Sequence, residues 1–184
     1  MARFTSRIPA NDTRARDVCD DCGFIAYENP KVVVGAVVVH EGKVLLCRRA
    51  IEPRRGFWTL PAGYLELQET VEEGAQREAL EEANARITLD GILALYSISR
   101  IGQIQVIFRA RFEAAADYAP GVESLDVGLF DWVDIPWNEL AFPSVHWSLH
   151  AWQAAGNGAL GVPASNPSVD RRGVSPEIPV GAIP

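Results

Sequence analysis

Three glutamates, Glu78, Glu81 and Glu82, follow Arg77 in a stretch patterned as a helix. At ~100° per residue they fall within about one third of a turn of one another. Like charges so placed destabilise an isolated helix by roughly 0.2–0.5 kcal/mol per pair. A divalent cation reverses the sign of that effect. Mg²⁺ prefers oxygen ligands, keeps several waters, and works with a few carboxylates plus the phosphate oxygens of a substrate. The trio therefore suits the clamping of a diphosphate. The alternative is a solvated acidic face, the usual fate of a charge run.

The surrounding residues favour the clamp. Thr70 and Glu73 form a capping box, so the helix is expected to begin at Thr70. Asn84, after the last carboxylate pair, can take the left-handed conformation that ends helices. Val71, Ala75, Ala79 and Ala83 make a small-residue stripe able to pack closely on a sheet. Gly74 lies in the acidic sector, where a missing side chain is expected to leave room for a ligand. Arg77 flanks Glu81 and is within reach of Glu69, so it can orient carboxylates that would otherwise repel.

The spacing Gly63-x5-Glu69-x7-Arg77-Glu78-x2-Glu81-Glu82 resembles the Nudix box, G-x5-E-x7-R-E-U-x-E-E-x-G-U with U a bulky aliphatic residue. Ala79 and Ala85 are smaller than the usual aliphatics, and Asn84 stands where the family has Gly. The resemblance implies an α/β fold, a Nudix-type α/β/α sandwich around a mixed β-sheet. It also implies catalytic and metal-holding roles for Glu78, Glu82 and Glu81, with Mg²⁺ or Mn²⁺ joined by the backbone carbonyl of Ala62. Gly63, Glu69 and Arg77 would orient these groups. A general base would come from a box glutamate or a loop carboxylate, and Glu123, just after Pro120-Gly121, is the loop candidate. Arg48, Arg49, Arg54, Arg55 and Arg100 are candidate phosphate contacts; Arg54 and Arg55 are favoured because they approach the box loop.

The chain has 184 residues, enough for a domain with a real core, with 48% hydrophobic and 22% charged residues. A net charge of −7 argues against non-specific nucleic-acid binding, which needs basic surface. No apolar run reaches the ~18 residues of a membrane span. The first residues lack a signal-like apolar segment, and three cysteines without one fit a reducing, cytoplasmic setting.

Three regions are expected: a polar, turn-rich segment 1–30, a domain 31–155, and a Gly/Pro-rich tail 156–184. Within the domain, Lys31–His40 reads as a buried strand and Lys43–Arg49 as its hairpin partner across Glu41-Gly42. Phe57 to Gly63 reads as the approach to the box. Further strands are expected around 87–89, 92–99, 103–112 and 125–133, then a helix over 144–155. Cys47 reads as a small core residue. Tyr27, Phe57, Trp58 and Tyr96 are candidates to stack on a base, with core packing the better reading for each.

The resemblance extends to Ile25-Ala26-Tyr27-Glu28-Asn29-Pro30, Gly56-Phe57-Trp58-Thr59-Leu60-Pro61 and Ile135-Pro136-Trp137. These segments are similar to a Nudix group with an N-terminal zinc ribbon, whose plant plastid members are FAD and ADP-ribose pyrophosphatases. That group carries two Cys-x2-Cys knuckles. Here Cys19-Asp20-Asp21-Cys22 is the one present, so the chain is expected to start inside the ribbon, with Zn²⁺ at Cys19 and Cys22 less favoured than a metal-free turn. A nucleotide-type small-molecule substrate is implied, of ADP-ribose or FAD type, with no nucleic-acid or membrane partner. Triphosphate sanitising, NADH pyrophosphatase activity and non-catalytic ligand sensing are the alternatives. Residues 86–103 lack the Ser-Gln-Pro-Trp-Pro-Phe-type array of the NADH enzymes, and a sensor would usually have lost box glutamates. Family members often form homodimers, and the segment with Trp147 and Trp152 is the candidate contact.

Overall fold

Valine on both sides of a strand means that both faces of that strand must be covered, and Lys31–His40 shows what covers them. In a computed structural model, which describes residues 2–168, it is the central strand β4 of a mixed sheet, the fourth strand of the chain. The chain divides at Pro30/Lys31 into two units. In the first, β1 (Phe4–Arg7), β2 (Arg16–Cys19) and β3 (Ile25–Ala26) form an antiparallel sheet in that order. The segment read as polar and turn-rich thus carries short paired strands as well. Strands of two to four residues are too short to show alternation, and the pairs Phe4–Cys19 and Val18–Ile25 become visible only across the sheet.

The second unit adds β5 (Lys43–Arg49), β6 (Trp58–Thr59), β7 (Ala62–Tyr64), α1 (Val71–Ala83), β8 (Ile87–Ile98), β9 (Gln103–Phe112), β10 (Ser124–Phe130) and α2 (Pro143–Ala155). The strand order is β10-β5-β4-β9-β8, with β6 on β5 and β7 on β4. β4 and β9 run parallel and the other pairs antiparallel, so the sheet is mixed. Val34, Ala36 and Val38 face α1, whose Ala75, Ala79 and Ala83 are fully buried. Val37 and Val39 face the other layer, where Trp137, Trp147, Leu149 and Trp152 pack with Tyr96. This is an α/β/α arrangement. No helix among the described residues is long and apolar enough to cross a membrane.

Several expectations shift. The 87–89 and 92–99 segments are one strand, interrupted by bulges at Leu89/Gly91 and Ile92/Ala94 that broke its alternation. The 125–133 strand stops at Phe130, and Trp132–Asp134 makes a 3₁₀ turn. Ala62-Gly63-Tyr64, read as a loop approach, pairs with Val33, Val34 and Gly35. Trp147 and Trp152, read as a candidate dimer contact, lie on α2 and turn into the core, where their large apolar areas are buried. Residues 156–168 of the tail run beside β8; residues 169–184, the remainder of the expected tail, lie outside the described residues.

Candidate active site

The acidic helix starts and stops where its caps dictate. Thr70 Oγ1 accepts from Glu73 N–H at 3.2 Å while Glu73 Oε2 accepts from Thr70 N–H at 2.8 Å. Asn84 closes the other end in the left-handed region at φ 50°, its N–H turned back to Ala79 and Leu80 carbonyls. Its side chain does a second task that glycine could not. Asn84 Nδ2 donates to the carbonyls of Ala119 at 3.1 Å and Pro120 at 3.3 Å. Ala119 N–H donates to Ala83 at 2.9 Å and Gly121 N–H to Glu82 carbonyl at 3.0 Å, so the 119–123 loop is docked on the helix end. A side chain at Gly121 would collide with the Glu81 carbonyl. That close approach carries Glu123 to the site.

Arg77 organises one half of the carboxylates. Its Nε and Nη2 grip Glu69 at 3.0 and 2.8 Å, and Nη2 also donates to the Tyr64 carbonyl at 3.0 Å. Nη1 donates to Glu78 at 2.7 Å and to Glu81 at 3.2 Å. The two-pronged pairing with Arg77, helped by the Glu66 N–H, holds the Glu69 carboxyl down at about 2. Arg77 is correspondingly raised, chiefly by Glu69. Gly63 is bare because Glu78 needs the space; a Cβ there would run into its carboxyl group. Gly74 is different from expectation. Its missing side chain accommodates Val34, Leu65 and Glu69, each 2.9 Å from where a Cβ would be, so the space is filled by packing and not left for a ligand.

The other half is Glu82, only 6% exposed, accepting the Ala62 N–H at 3.0 Å. Burial raises its carboxyl to about 8, with Glu78 and Glu123 adding to the rise and the Ala62 N–H and Arg49 opposing it. Glu78 is raised as well, first by burial, then by Glu81 and Glu123, against Arg77. The charge of Glu123 thus reaches both Glu78 and Glu82. The three line a common cleft of about 1200 Å³ together with Ala62, Gly63, Arg77 and Glu81.

Two carboxylates whose burial raises their proton affinity are a donor set suited to a hard cation. Among the described residues no three His, Cys, Asp or Glu side chains group into a complete cage. Mg²⁺ does not ask for one, since one or two carboxylates plus substrate phosphate suffice. Glu78 and Glu82 fit that demand, with Glu81 at the exposed rim beside Arg77. Cys19 and Cys22 do not fit zinc by themselves. Cys19 is buried and Cys22 exposed, backbone N–H groups of Cys22 and Asp21 hold the Cys19 thiol below its usual range, and no third ligand joins them among the described residues. Structural zinc takes four.

Arg54 and Arg55 do not line the cleft. The Arg54 guanidinium lies over the Phe57 ring at 5.0 Å, spent on packing at the surface. Arg49 and Arg100 line it instead. Arg49 is fixed by the Pro53 carbonyl at 2.8 Å and by the Phe142 ring at 5.2 Å. Trp58 and Tyr96, weighed as stacking residues, are core. Gln103, Gln105, Trp147 and Asn166 also line the cleft and carried no motif. The Asn84 tether had one visible trace, an asparagine where the box has glycine.

A sequence model described as NUDIX domain matches residues 29–153, about two thirds of the chain. The chain belongs to the Nudix family. A second model, described as Nudix N-terminal and of zinc-ribbon type, matches residues 2–28. The crystal structure of a Nudix hydrolase from Nitrosomonas europaea is 49% identical, with a TM-score of 0.78 over 80% of this chain and 84% of that one. A MutT-like protein of Streptomyces ambofaciens is 39% identical over 43% of this chain and 49% of its own length. An ADP-ribose pyrophosphatase of Methanocaldococcus jannaschii is 37% identical over 39% of this chain and 42% of its own. The Nudix chain thus spans about half the length of the curated relatives it matches.

Proposed function

We propose that this Nudix protein hydrolyses the diphosphate bond of a nucleoside diphosphate linked to a second group X, of ADP-ribose or FAD type, with Mg²⁺ or Mn²⁺. One observation carries the reading: Glu78 and Glu82 are buried side by side in a cleft, one anchored by Arg77 and the other by the Ala62 N–H. A bound divalent ion supplies charge neutralisation at the diphosphate and a water of lowered pKa. Glu78 and Glu82 would hold it, with Glu81 and the Ala62 carbonyl assisting. Arg77, locked on Glu69, keeps Glu78 aimed at the cleft. Arg49, fixed at its Nε, has its remaining N–H groups unpaired among the described residues, available to meet phosphate oxygen. Glu123, delivered by the docked loop, accepts the proton that the attacking water gives up as its oxygen bonds to phosphorus and the bridging P–O bond breaks.

The relative from Methanocaldococcus jannaschii named for ADP-ribose supports the substrate class. So does the cleft, whose size of about 1200 Å³ exceeds that of most small-molecule sites and accommodates groups on both sides of a diphosphate. The test is a substrate panel of ADP-ribose, FAD, NADH, diadenosine polyphosphates and dNTPs with Mg²⁺, read by product identity. AMP plus the phosphate of X is the expected result. Pyrophosphate release from dNTPs as the dominant reaction would overturn it in favour of triphosphate sanitising.

A further inference from the structure

The Nudix match stops at residue 153, yet the chain beyond it helps to build the cleft. After α2, residues 156–167 form a strap along β8, the sheet's edge strand. Arg109 Nη1 donates to the carbonyls of Gly156 and Gly158 at 2.8 and 2.9 Å, and its Nε to Asp90 at 3.1 Å. Leu160 packs against the core cluster that holds Trp147, Leu149 and Trp152. Ala164 acts as a one-residue strand, its N–H donating to Leu93 at 2.9 Å and its carbonyl accepting from Leu95 at 2.8 Å. Asn166 then copies a backbone rung with its side chain. Its Oδ1 accepts from Ser97 N–H at 2.8 Å and its Nδ2 donates to the Ser97 carbonyl at 2.9 Å.

Protection of an open sheet edge is one consequence of such a strap. Reaching the cleft is another, because Asn166 and Pro167 are part of its wall. Next to Ser97 in the ladder, Tyr96 and Ile98 pair with Gln105 and Gln103. Gln105 Nε2 donates to Gln103 at 3.4 Å and Gln103 Nε2 to the Tyr64 hydroxyl at 3.1 Å, which leaves carbonyl and amide capacity to spare. Trp147 lines the same cleft, and its buried Nε1–H has no partner among the described residues. Apart from Arg100 at the exposed rim, these are neutral hydrogen-bonding groups. The cation Arg49 and the carboxylates belong to the diphosphate side.

We propose that the strap makes Asn166 a specificity-determining residue, closing an amide-lined part of the cleft that takes an uncharged, hydroxyl- or carbonyl-bearing portion of X. This rests on the reading of the substrate as a nucleoside diphosphate linked to X. The test compares wild type, Asn166→Ala and Gln105→Leu in the full chain on ADP-ribose, FAD and ATP with Mg²⁺, after thermal melting shows each variant folded. Loss of a cleft-lining hydrogen-bonding partner predicts a KM raised about tenfold for the X-bearing substrate, with kcat within about twofold. KM for ATP, which has no X, stays unchanged. A larger effect on ADP-ribose identifies sugar hydroxyls as the occupant, and a larger effect on FAD the flavin carbonyls. Equal changes on all three substrates, or none in Asn166→Ala, overturn the inference while leaving the hydrolase reading standing. Should Asn166→Ala fail to fold, Asn166→Ser, a smaller change at the same residue, is measured in its place. A wild-type protein inert on ADP-ribose and FAD sinks both.

Discussion

Replacing Glu82 by Gln should make the metal-free protein more stable while removing its activity. Glu82 is 6% exposed and its carboxyl is raised from an ordinary 4.5 to about 8. In the unfolded chain it ionises near 4.5, so at pH 7 folding must draw a proton onto it. The interval from 4.5 to 7, at about 1.36 kcal/mol per pH unit, puts that cost near 3 kcal/mol. The sign follows from proton counts. Between 4.5 and about 8 the folded state binds more protons than the unfolded one, so this residue's contribution falls as pH rises. Gln keeps the shape and can still accept the Ala62 N–H, at the expense of an extra amide to satisfy, so a net gain of about 2 kcal/mol at pH 7 is expected. Urea unfolding in EDTA at pH 5, 6, 7 and 8, followed by tryptophan fluorescence, measures it. The gap between Glu82→Gln and wild type should widen with pH, a difference in which titrating groups away from Glu82 cancel. Mg²⁺ should then stabilise wild type and not the variant. A variant no more stable than wild type, with a gap independent of pH, would refute the argument that burial governs Glu82.

Three further changes probe other parts of the site and core. Gly63→Ala drives a Cβ into the Glu78 carboxyl group; with near-native circular dichroism, kcat should fall by about 10²-fold or more, since catalytic groups tolerate little misplacement. Asn84→Gly keeps the left-handed cap but drops the bonds to Ala119 and Pro120. Stability should change by under about 1 kcal/mol while kcat falls through the freed Glu123 loop, whereas Asn84→Ala adds about 1 kcal/mol of backbone strain; calorimetry beside steady-state kinetics separates the two. His146 is buried with Nδ1 unpartnered among the described residues, and burial lowers it from 6.5 to about 4. The unfolded state binds the extra proton between those values, so stability should fall by up to about 3 kcal/mol as pH drops from 6.5 to 4, and His146→Phe should flatten that slope.

The acidic helix was legible because its signals are local. The capping box, the left-handed Asn84 and the carboxylate spacing each involve residues within a turn or two, and the structure places them as read. The valine run of β4 was legible for the same reason. The bulges in β8, the short strands of the first unit and β7 were not, because each is defined by a partner strand far along the chain. Gly74 shows the limit most plainly. One glycine on an acidic face looks like room for a ligand until Val34 and Leu65 are seen filling it.

By itself the sequence determined that an acidic helix capped at Thr70 and Asn84 would follow Gly63, because helix geometry turns spacing directly into a shared face. Tertiary structure alone decided which carboxylates lost their water, which arginine met the cleft, and that Asn166 would close part of its wall. Burial and long-range pairing depend on what the rest of the chain brings alongside. No local spacing encodes that.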